Sequence, residues 1–309
     1  MARVVTKGVE TGMSRAATRR RLFPYLLIAP SILLLLGLIF YPMIFALQNS
    51  FYFWNLQTSP QPMMFVGLDN YRMVFTTSPF ADGLRNTLTL SVAGTFIEFW
   101  FGMGVALLLY TGLRGTGVVR ALLIMPTTIA PIVVGFLFRY MFYEGSGILN
   151  WLLKASGVPV PAQGILGHAS TALWGIAFAD IWEWTPFFAI TLYAGLLAIP
   201  DEIMEAARVD GASGFRVFTN VLLPLSLRTG IVVTMIRFMQ LFNMFDLVLI
   251  LTRGGPGTAS RTLSYSLYQE GLVNYNIGVS AAMTWVVVIV VMVLINLYVM
   301  AAFRDWEWK

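Results

Sequence analysis

The sequence predicts an all-α polytopic membrane protein with six transmembrane helices. Of its 309 residues 58% are hydrophobic and only 11% are charged, and the mean hydropathy is +0.74. A water-soluble domain keeps about a quarter of its residues charged. Six apolar runs are each long enough to cross about 30 Å of hydrocarbon. These observations indicate a chain that is solvated mainly by lipid.

Three regions follow from the apolar runs: a basic tail at residues 1–21, a transmembrane domain at 22–303 and a C-terminal segment at 304–309. The first run is far longer than the core of a cleavable signal peptide, which has about 7–15 residues, so we predict an anchor helix that stays. An outer loop at 48–85 and a polar element at 199–224 separate spans. The six spans are predicted at residues 22–47, 86–110, 119–142, 171–198, 225–251 and 278–303.

Lysine and arginine lie mostly on one side of these spans. Thirteen of the twenty lie in segments on the side of the N-terminus, and six of those are in the tail at residues 1–21. The five on the other side are Arg72, Arg85, Lys154, Arg253 and Arg261. Arg139 and Arg237 lie within spans. Because basic residues stay preferentially in the cytoplasm, both termini and the element at 199–224 are predicted to be cytoplasmic, in a multi-pass protein of the cell membrane.

The polar element begins with the signals of a short helix. Pro200 sets φ near its helical value, and Asp201 and Glu202 place negative charge at the positive end of the helix dipole. Gly211 is predicted to end this helix, because glycine adopts the left-handed conformation freely.

A second short helix is predicted from a cap at Ser213 to Pro224. We expect the resulting helix–turn–helix to present Ala206 and Ala207 where the backbone of another protein could come close. The alternative interpretation is an ordinary amphipathic loop helix on the membrane surface.

The spacing of this element resembles the "EAA" signature of ABC importer permeases, in its carbohydrate-type form. Glu205-Ala206-Ala207 is followed by Asp210-Gly211-Ala212, then by Phe218 and Leu223-Pro224. Arg228 stands where the family often has another proline, which leaves the end of the second helix open. The resemblance implies a type I ABC importer permease fold with a cytoplasmic coupling helix that docks on a separate ATPase. The implied coupling residues are Glu205, Ala206, Ala207, Asp210, Gly211, Ala212, Leu223 and Pro224.

Ionisable groups at membrane depth are costly and usually face a cavity or a partner. Six such groups are candidates for contact with substrate or for pairing between helices: Glu98, Arg139, Asp180, Glu183, Arg237 and Asp246. Carboxylates and amides bind sugar hydroxyls, and aromatic rings cover the C–H face of a pyranose. The predicted substrate pathway therefore consists of Glu183, Trp184, Gln240, Asn243, Phe245 and Asp246.

The run from Phe245-Asp246 to Leu251-Thr252 and then Gly254-Gly255-Pro256 resembles a second signature of carbohydrate permeases. By that resemblance the fifth span lines the translocation path. The loop of Gly254, Gly255 and Pro256 is then expected to face the binding protein that delivers the sugar.

Several chemistries are excluded by composition. The chain has no cysteine and a single histidine, His168, which excludes thiol nucleophiles, cysteine-ligated metals and HExxH zinc sites. It has no GxxxxGK[ST] motif for nucleotide phosphates. The net charge of +5 comes largely from the tail and does not indicate nucleic-acid binding. We therefore expect no enzymatic activity and no cofactor in this chain, with ATP and Mg²⁺ on a partner ATPase.

The function implied is the permease subunit of an ATP-driven sugar importer that works by alternating access. A disaccharide such as trehalose is the favoured cargo, and a maltose-type sugar or a glycerol-phosphate compound remains open. The expected partners are a second homologous permease, two ATPase subunits, an extracytoplasmic sugar-binding protein and the lipid bilayer. The alternatives are a secondary transporter driven by an ion gradient through buried carboxylates, and a membrane-embedded enzyme.

Overall fold

The computed structural model describes residues 23–25, 27–76, 79–112 and 115–302. The predicted tail at 1–21 and the C-terminal segment at 304–309 lie outside these residues. Thirteen helices, a further π-helical segment at Gln269–Val273 and one two-stranded hairpin make up the regular structure of the described part. The strands are β1 (Tyr52–Phe53) and β2 (Met64–Phe65). The helices are α1 (Leu27–Asn49), α2 (Asp69–Thr76), α3 (Phe80–Tyr110), α4 (Thr116–Thr127), α5 (Pro131–Met141), α6 (Ile148–Ala155), α7 (Gly164–Gly167), α8 (Ala172–Leu197), α9 (Asp201–Val209), α10 (Gly214–Phe242), α11 (Asp246–Leu251), α12 (Leu263–Tyr268) and α13 (Ile277–Ala302).

Four of the described helices are long and apolar enough to cross a membrane singly: α1, α3, α10 and α13. The number rises to six if each of two bent helix pairs, α4 with α5 and α8 with α9, counts as one span. The helical class predicted from the sequence is therefore observed.

The third span differs from the single helix predicted at 119–142. It consists of α4 and α5, whose axes meet at 91°. Ala130 is extended, with φ −64° and ψ 135°, and Pro131 opens α5. A proline has no N–H to continue a helix, and its ring disfavours the helical conformation of the preceding residue. The break is the local consequence of Pro131.

The fifth span also differs from the prediction, at both ends. The second short helix expected from Ser213 to Pro224 does not exist separately, because α10 runs without interruption from Gly214 to Phe242. A widened π turn at Phe218–Leu222 ends two residues before Pro224, which offers no N–H to the helix. The predicted span at 225–251 stops at Phe242, and residues 243–245 separate it from α11.

Helix α8 lies at the centre and packs against α3, α10 and α4. A core cluster joins α3, α8, α9 and α10 through Met103, Phe188, Leu196, Met204 and Leu222. Gly102 permits the closest approach of α3 to α8, since a Cβ there would lie 3.0 Å from the backbone nitrogen of Ala189. Small residues allow such approaches between membrane helices. We refer to this packing as the coupling-end cluster.

The loop before α3 folds over the other end of the molecule. Strands β1 and β2 pair antiparallel, with Tyr52 opposite Phe65. The Nδ2 of Asn70 on α2 donates to the carbonyl oxygens of Ser50 and Tyr52, each at 2.8 Å. These bonds fix α2 against the hairpin and so fix the position from which α3 starts.

Candidate functional site

A cavity of about 250 Å³ lies at the interruption of the fifth span. It is lined by Pro131, Asp180, Glu183, Trp184, Arg237, Gln240, Asn243, Met244, Phe245, Asp246 and Leu247. The structure therefore brings together all six residues of the predicted substrate pathway. The break at Pro131 and the break at 243–245 both border the cavity. Non-helical backbone at membrane depth is tolerated where it lines a cavity.

The floor of the cavity is a buried ion-pair network across three helices. Arg237 on α10 donates from Nε and Nη2 to the two carboxylate oxygens of Glu98 on α3, at 2.9 and 3.0 Å. Its Nη2 also donates to Asp180 on α8. All three side chains are at most 4% exposed. Contact with substrate and pairing between helices were the two roles considered for ionisable groups. For Glu98, Asp180 and Arg237 the structure shows pairing between helices.

Two further side chains of this chain contact the guanidinium of Arg237. The ring of Trp184 lies over it, 4.7 Å from centroid to Cζ. Gln240 Oε1 accepts from its Nη1 at 3.4 Å. Four of the five N–H donors of Arg237 and one face of its guanidinium are thus engaged by residues of this chain, and Arg237 holds α3, α8 and α10 together.

Glu183 is the exception in this site. It is fully buried, and within the described chain neither of its carboxylate oxygens has a hydrogen-bond partner. A buried polar group without a partner is costly. Glu183 therefore calls for an explanation that packing within the described chain does not supply.

The rim of the cavity is polar and aromatic. Gln240, Asn243 and Asp246 are exposed. The ring of Phe245 packs on Tyr268, with centroids 5.1 Å apart. The Nδ2 of Asn243 donates to the carbonyl of Met239 at 3.0 Å and so closes the end of α10. Amide and carboxylate groups beside aromatic rings can bind hydroxyl groups and apolar ring faces.

The loop of Gly254, Gly255 and Pro256 lies against the start of α3. Asn86 Nδ2 donates to the carbonyls of Thr258 and Arg261, both at 3.0 Å, and Thr258 Oγ1 donates to Asp82 at 2.7 Å. These contacts place the loop at the first turns of α3.

The coupling-end cluster lies at the opposite end of α3. Leu107 and Tyr110, in the last turn of α3, pack into it together with Met204 of α9. A helix of 31 residues is about 46 Å long. The loop of Gly254 and the predicted coupling helix are therefore at opposite ends of the molecule.

Helix α9 is the predicted coupling helix, and it ends at Gly211 through a full Schellman motif. Gly211 has φ +68°, its N–H donates to Arg208 O at 3.1 Å, and the N–H of Ala212 donates to Ala207 O at 3.0 Å. These two bonds satisfy carbonyls that the last turn leaves free. Local sequence therefore determines the turn.

The surface of α9 differs in one respect from the expectation. Ala206 is exposed, but Ala207 is buried against the core, because successive residues of a helix point about 100° apart. Glu205, Asp210 and Gly211 are exposed as well, and so is Pro224. Ala212 and Leu223 are half-buried. The face available to a partner thus contains one of the two alanines.

Sequence reasoning considered Glu98, Asp180 and Arg237 but did not assign them to the pathway. Their signal was an ionisable group in an apolar run. The partners lie 139 and 57 residues apart in sequence. No local pattern contains that pairing.

Comparisons with known proteins give the family. The family model for the binding-protein-dependent transport system inner membrane component matches residues 98–304. The trehalose transport system permease protein SugA of Mycobacterium tuberculosis is 32% identical over 275 residues, which cover 88% of this chain and 85% of that protein. The sn-glycerol-3-phosphate transport system permease protein UgpA of Agrobacterium fabrum is 33% identical over 279 residues, which cover 89% of this chain and 92% of that protein.

A solved structure shares the fold. It is the crystal structure of a bacterial ABC transporter involved in the import of the acidic polysaccharide alginate, with a TM-score of 0.81 and 22% identity. The match covers 95% of this chain and 100% of that chain. The predicted type I importer permease fold is thereby confirmed. The relatives are named transport permease proteins, so this chain is a transport subunit and not an enzyme. The chain belongs to the family of binding-protein-dependent transport system inner membrane components, the multi-pass permease subunits of ABC transporters.

Proposed function

We propose that this chain is one permease subunit of an ATP-driven sugar importer, and that α10 connects the coupling helix α9 to the cavity that receives the cargo. The observation that supports this most directly is the continuity of that helix. Helix α10 starts three residues after Gly211 and ends at the cavity, where it contributes Arg237 and Gln240. Its 29 residues span about 43 Å. A displacement of α9 would therefore reach the cavity through one continuous helix.

The cargo that we propose is a disaccharide such as trehalose, with a maltose-type sugar as the second candidate. The similarity to a trehalose permease supports a sugar. The amide and carboxylate groups of the cavity suit hydroxyls, and Trp184 and Phe245 suit the apolar face of a pyranose. A cavity of about 250 Å³ is below the usual 300–1,000 Å³ of a complete ligand site. This agrees with one chain that encloses half of a pathway.

The proposed assembly has two homologous permeases and two ATPase subunits, which bind the ATP and Mg²⁺. Each ATPase docks on one coupling helix, which in this chain is α9 with Glu205, Ala206, Asp210 and Gly211 on its surface. A sugar-loaded binding protein contacts the opposite end, at the loop of Gly254. Both chain termini and α9 are then cytoplasmic. ATP-driven closure of the ATPases turns the cavity outward, and hydrolysis returns it.

The test is a mild-detergent purification of the tagged chain, co-expressed with its transporter partners, and an assay of ATPase activity in the purified material. We expect an ATPase to co-purify with the wild type and to be lost or uncoupled in Glu205→Lys. Glu144→Lys is the matched control, because it makes the same charge change on an exposed residue far from α9. A wild-type chain that purifies alone and transports without ATP would contradict the proposal and favour an ion-driven transporter.

A further inference from the structure

We propose that the cavity selects its cargo by charge: it accepts neutral or cationic hydroxyl-rich compounds and excludes phosphorylated or carboxylated ones. This inference rests on the proposed function, because it assumes that the cargo passes through this cavity. The inference distinguishes two classes of cargo, neutral sugars and phosphate esters. Sequence similarity does not distinguish them, since one relative is named for trehalose and another for sn-glycerol-3-phosphate.

The first argument is the balance of charge around the cavity. Among the described residues, the lining contains three carboxylates, on Asp180, Glu183 and Asp246, and one cation, on Arg237. A fourth carboxylate, on Glu98, lies directly behind Arg237. The set is net negative with or without a charge on Glu183. Low-dielectric walls strengthen the field of such a set, so an anion entering the cavity is repelled.

The second argument is that four of the five N–H donors of Arg237 are already bound within this chain. Its Nε and Nη2 donate to Glu98, its Nη2 also to Asp180, and its Nη1 to Gln240, while Trp184 covers one face. Recognition of a phosphate by arginine uses parallel N–H donors in a fork. At Arg237 that fork is already bound to Glu98. A phosphate could bind to that fork only by breaking a buried ion pair.

The third argument concerns the two carboxylates of the lining that Arg237 does not bind. Asp246 is exposed on the rim, and the buried oxygens of Glu183 have no donor within the described chain. An ionised carboxylate can only accept, whereas a sugar hydroxyl or an amino group donates. In their ionised form, Glu183 and Asp246 are therefore complementary to the hydroxyl groups of a polyol and repel a phosphate.

The experiment compares sugars with their own phosphate esters. The assembled transporter, without binding protein, is titrated in detergent with trehalose, trehalose 6-phosphate, maltose and maltose 6′-phosphate, and binding is followed by ligand-detected NMR. Each pair differs by one phosphate group. We expect at least one of the two sugars to bind, and its phosphate ester to bind about tenfold or more weakly. Asp246→Asn should narrow that difference, and Glu144→Gln, outside the cavity, should leave it unchanged.

Equal or tighter binding of the phosphate esters would overturn the charge selection, and so would the failure of both sugars to bind. ATP-driven uptake from a loaded binding protein is measured on the same preparation and tests the proposed function separately. Intact uptake together with tight binding of a phosphate ester contradicts only the charge selection. Loss of ATP-driven uptake contradicts the proposed function itself.

Discussion

Arg237 on the fifth span donates both Nε and Nη2 to the carboxylate of Glu98 on the second span, at 2.9 and 3.0 Å, where neither side chain is more than 3% exposed. Asp180 on the fourth span is the third member of this network. A single guanidinium thus connects three membrane helices directly beneath the candidate cavity. The consequences for stability can be measured.

Arg237→Met should destabilise the protein strongly. The substitution leaves Glu98 and Asp180 buried and close together without a cation, and removal of one partner of a buried ion pair costs about 3–5 kcal/mol. We expect a lower midpoint of thermal unfolding in detergent and a lower yield of folded protein. Arg216→Met, at an exposed position, is the control. Equal unfolding midpoints for the two variants would show that the network contributes nothing to stability.

Gly211→Ala should weaken coupling through backbone strain alone. A Cβ at Gly211 meets no atom within 4 Å, but φ is +68°, a conformation that costs an L-residue about 1–2 kcal/mol. We expect lower ATP-driven uptake with normal membrane insertion, and a smaller defect for Gly211→Asn, because asparagine tolerates this conformation better.

Gly214→Ala is the matched control for the turn, since a Cβ there is equally free of contacts and φ lies outside the left-handed region. Uptake in that variant should match the wild type. If Gly211→Ala and Gly214→Ala reduced uptake equally, the geometry of the turn would not be the cause.

Gly102→Ala should loosen the contact between the second and fourth spans. A Cβ at Gly102 would overlap the Cβ of Phe188 on α8 and lie 3.0 Å from the backbone nitrogen of Ala189, and neither atom can move without shifting the helix. Overpacking of this kind costs about 1–3 kcal/mol. Gly104→Ala, where a Cβ meets no atom within 4 Å, should be nearly neutral. Thermal unfolding in detergent compares the two, and similar losses in both would contradict this account of the packing.

Local chemistry explains the features that could be predicted from sequence. A membrane helix must satisfy its own backbone and present apolar side chains to lipid, so each span appears as a long apolar run. The end of α9 at Gly211 is equally local, because it depends on one residue that tolerates a positive φ. The breaks in the third and fifth spans were not predicted, because each span was expected to be a single helix. In the third span the break follows from Pro131, and α5 packs against α11 beyond it.

By itself, the sequence determined the helical class, the approximate positions of the spans and the short helix from Asp201 to Val209. Only the tertiary structure decided which ionisable groups neutralise one another and which remains without a partner. Glu98, Asp180 and Glu183 look alike in sequence as carboxylates within apolar runs. Packing brings Arg237 to the first two and leaves Glu183 without a donor within the described chain. Such ion pairs join residues that are far apart in the sequence. A local sequence pattern therefore cannot show which of them meet in space.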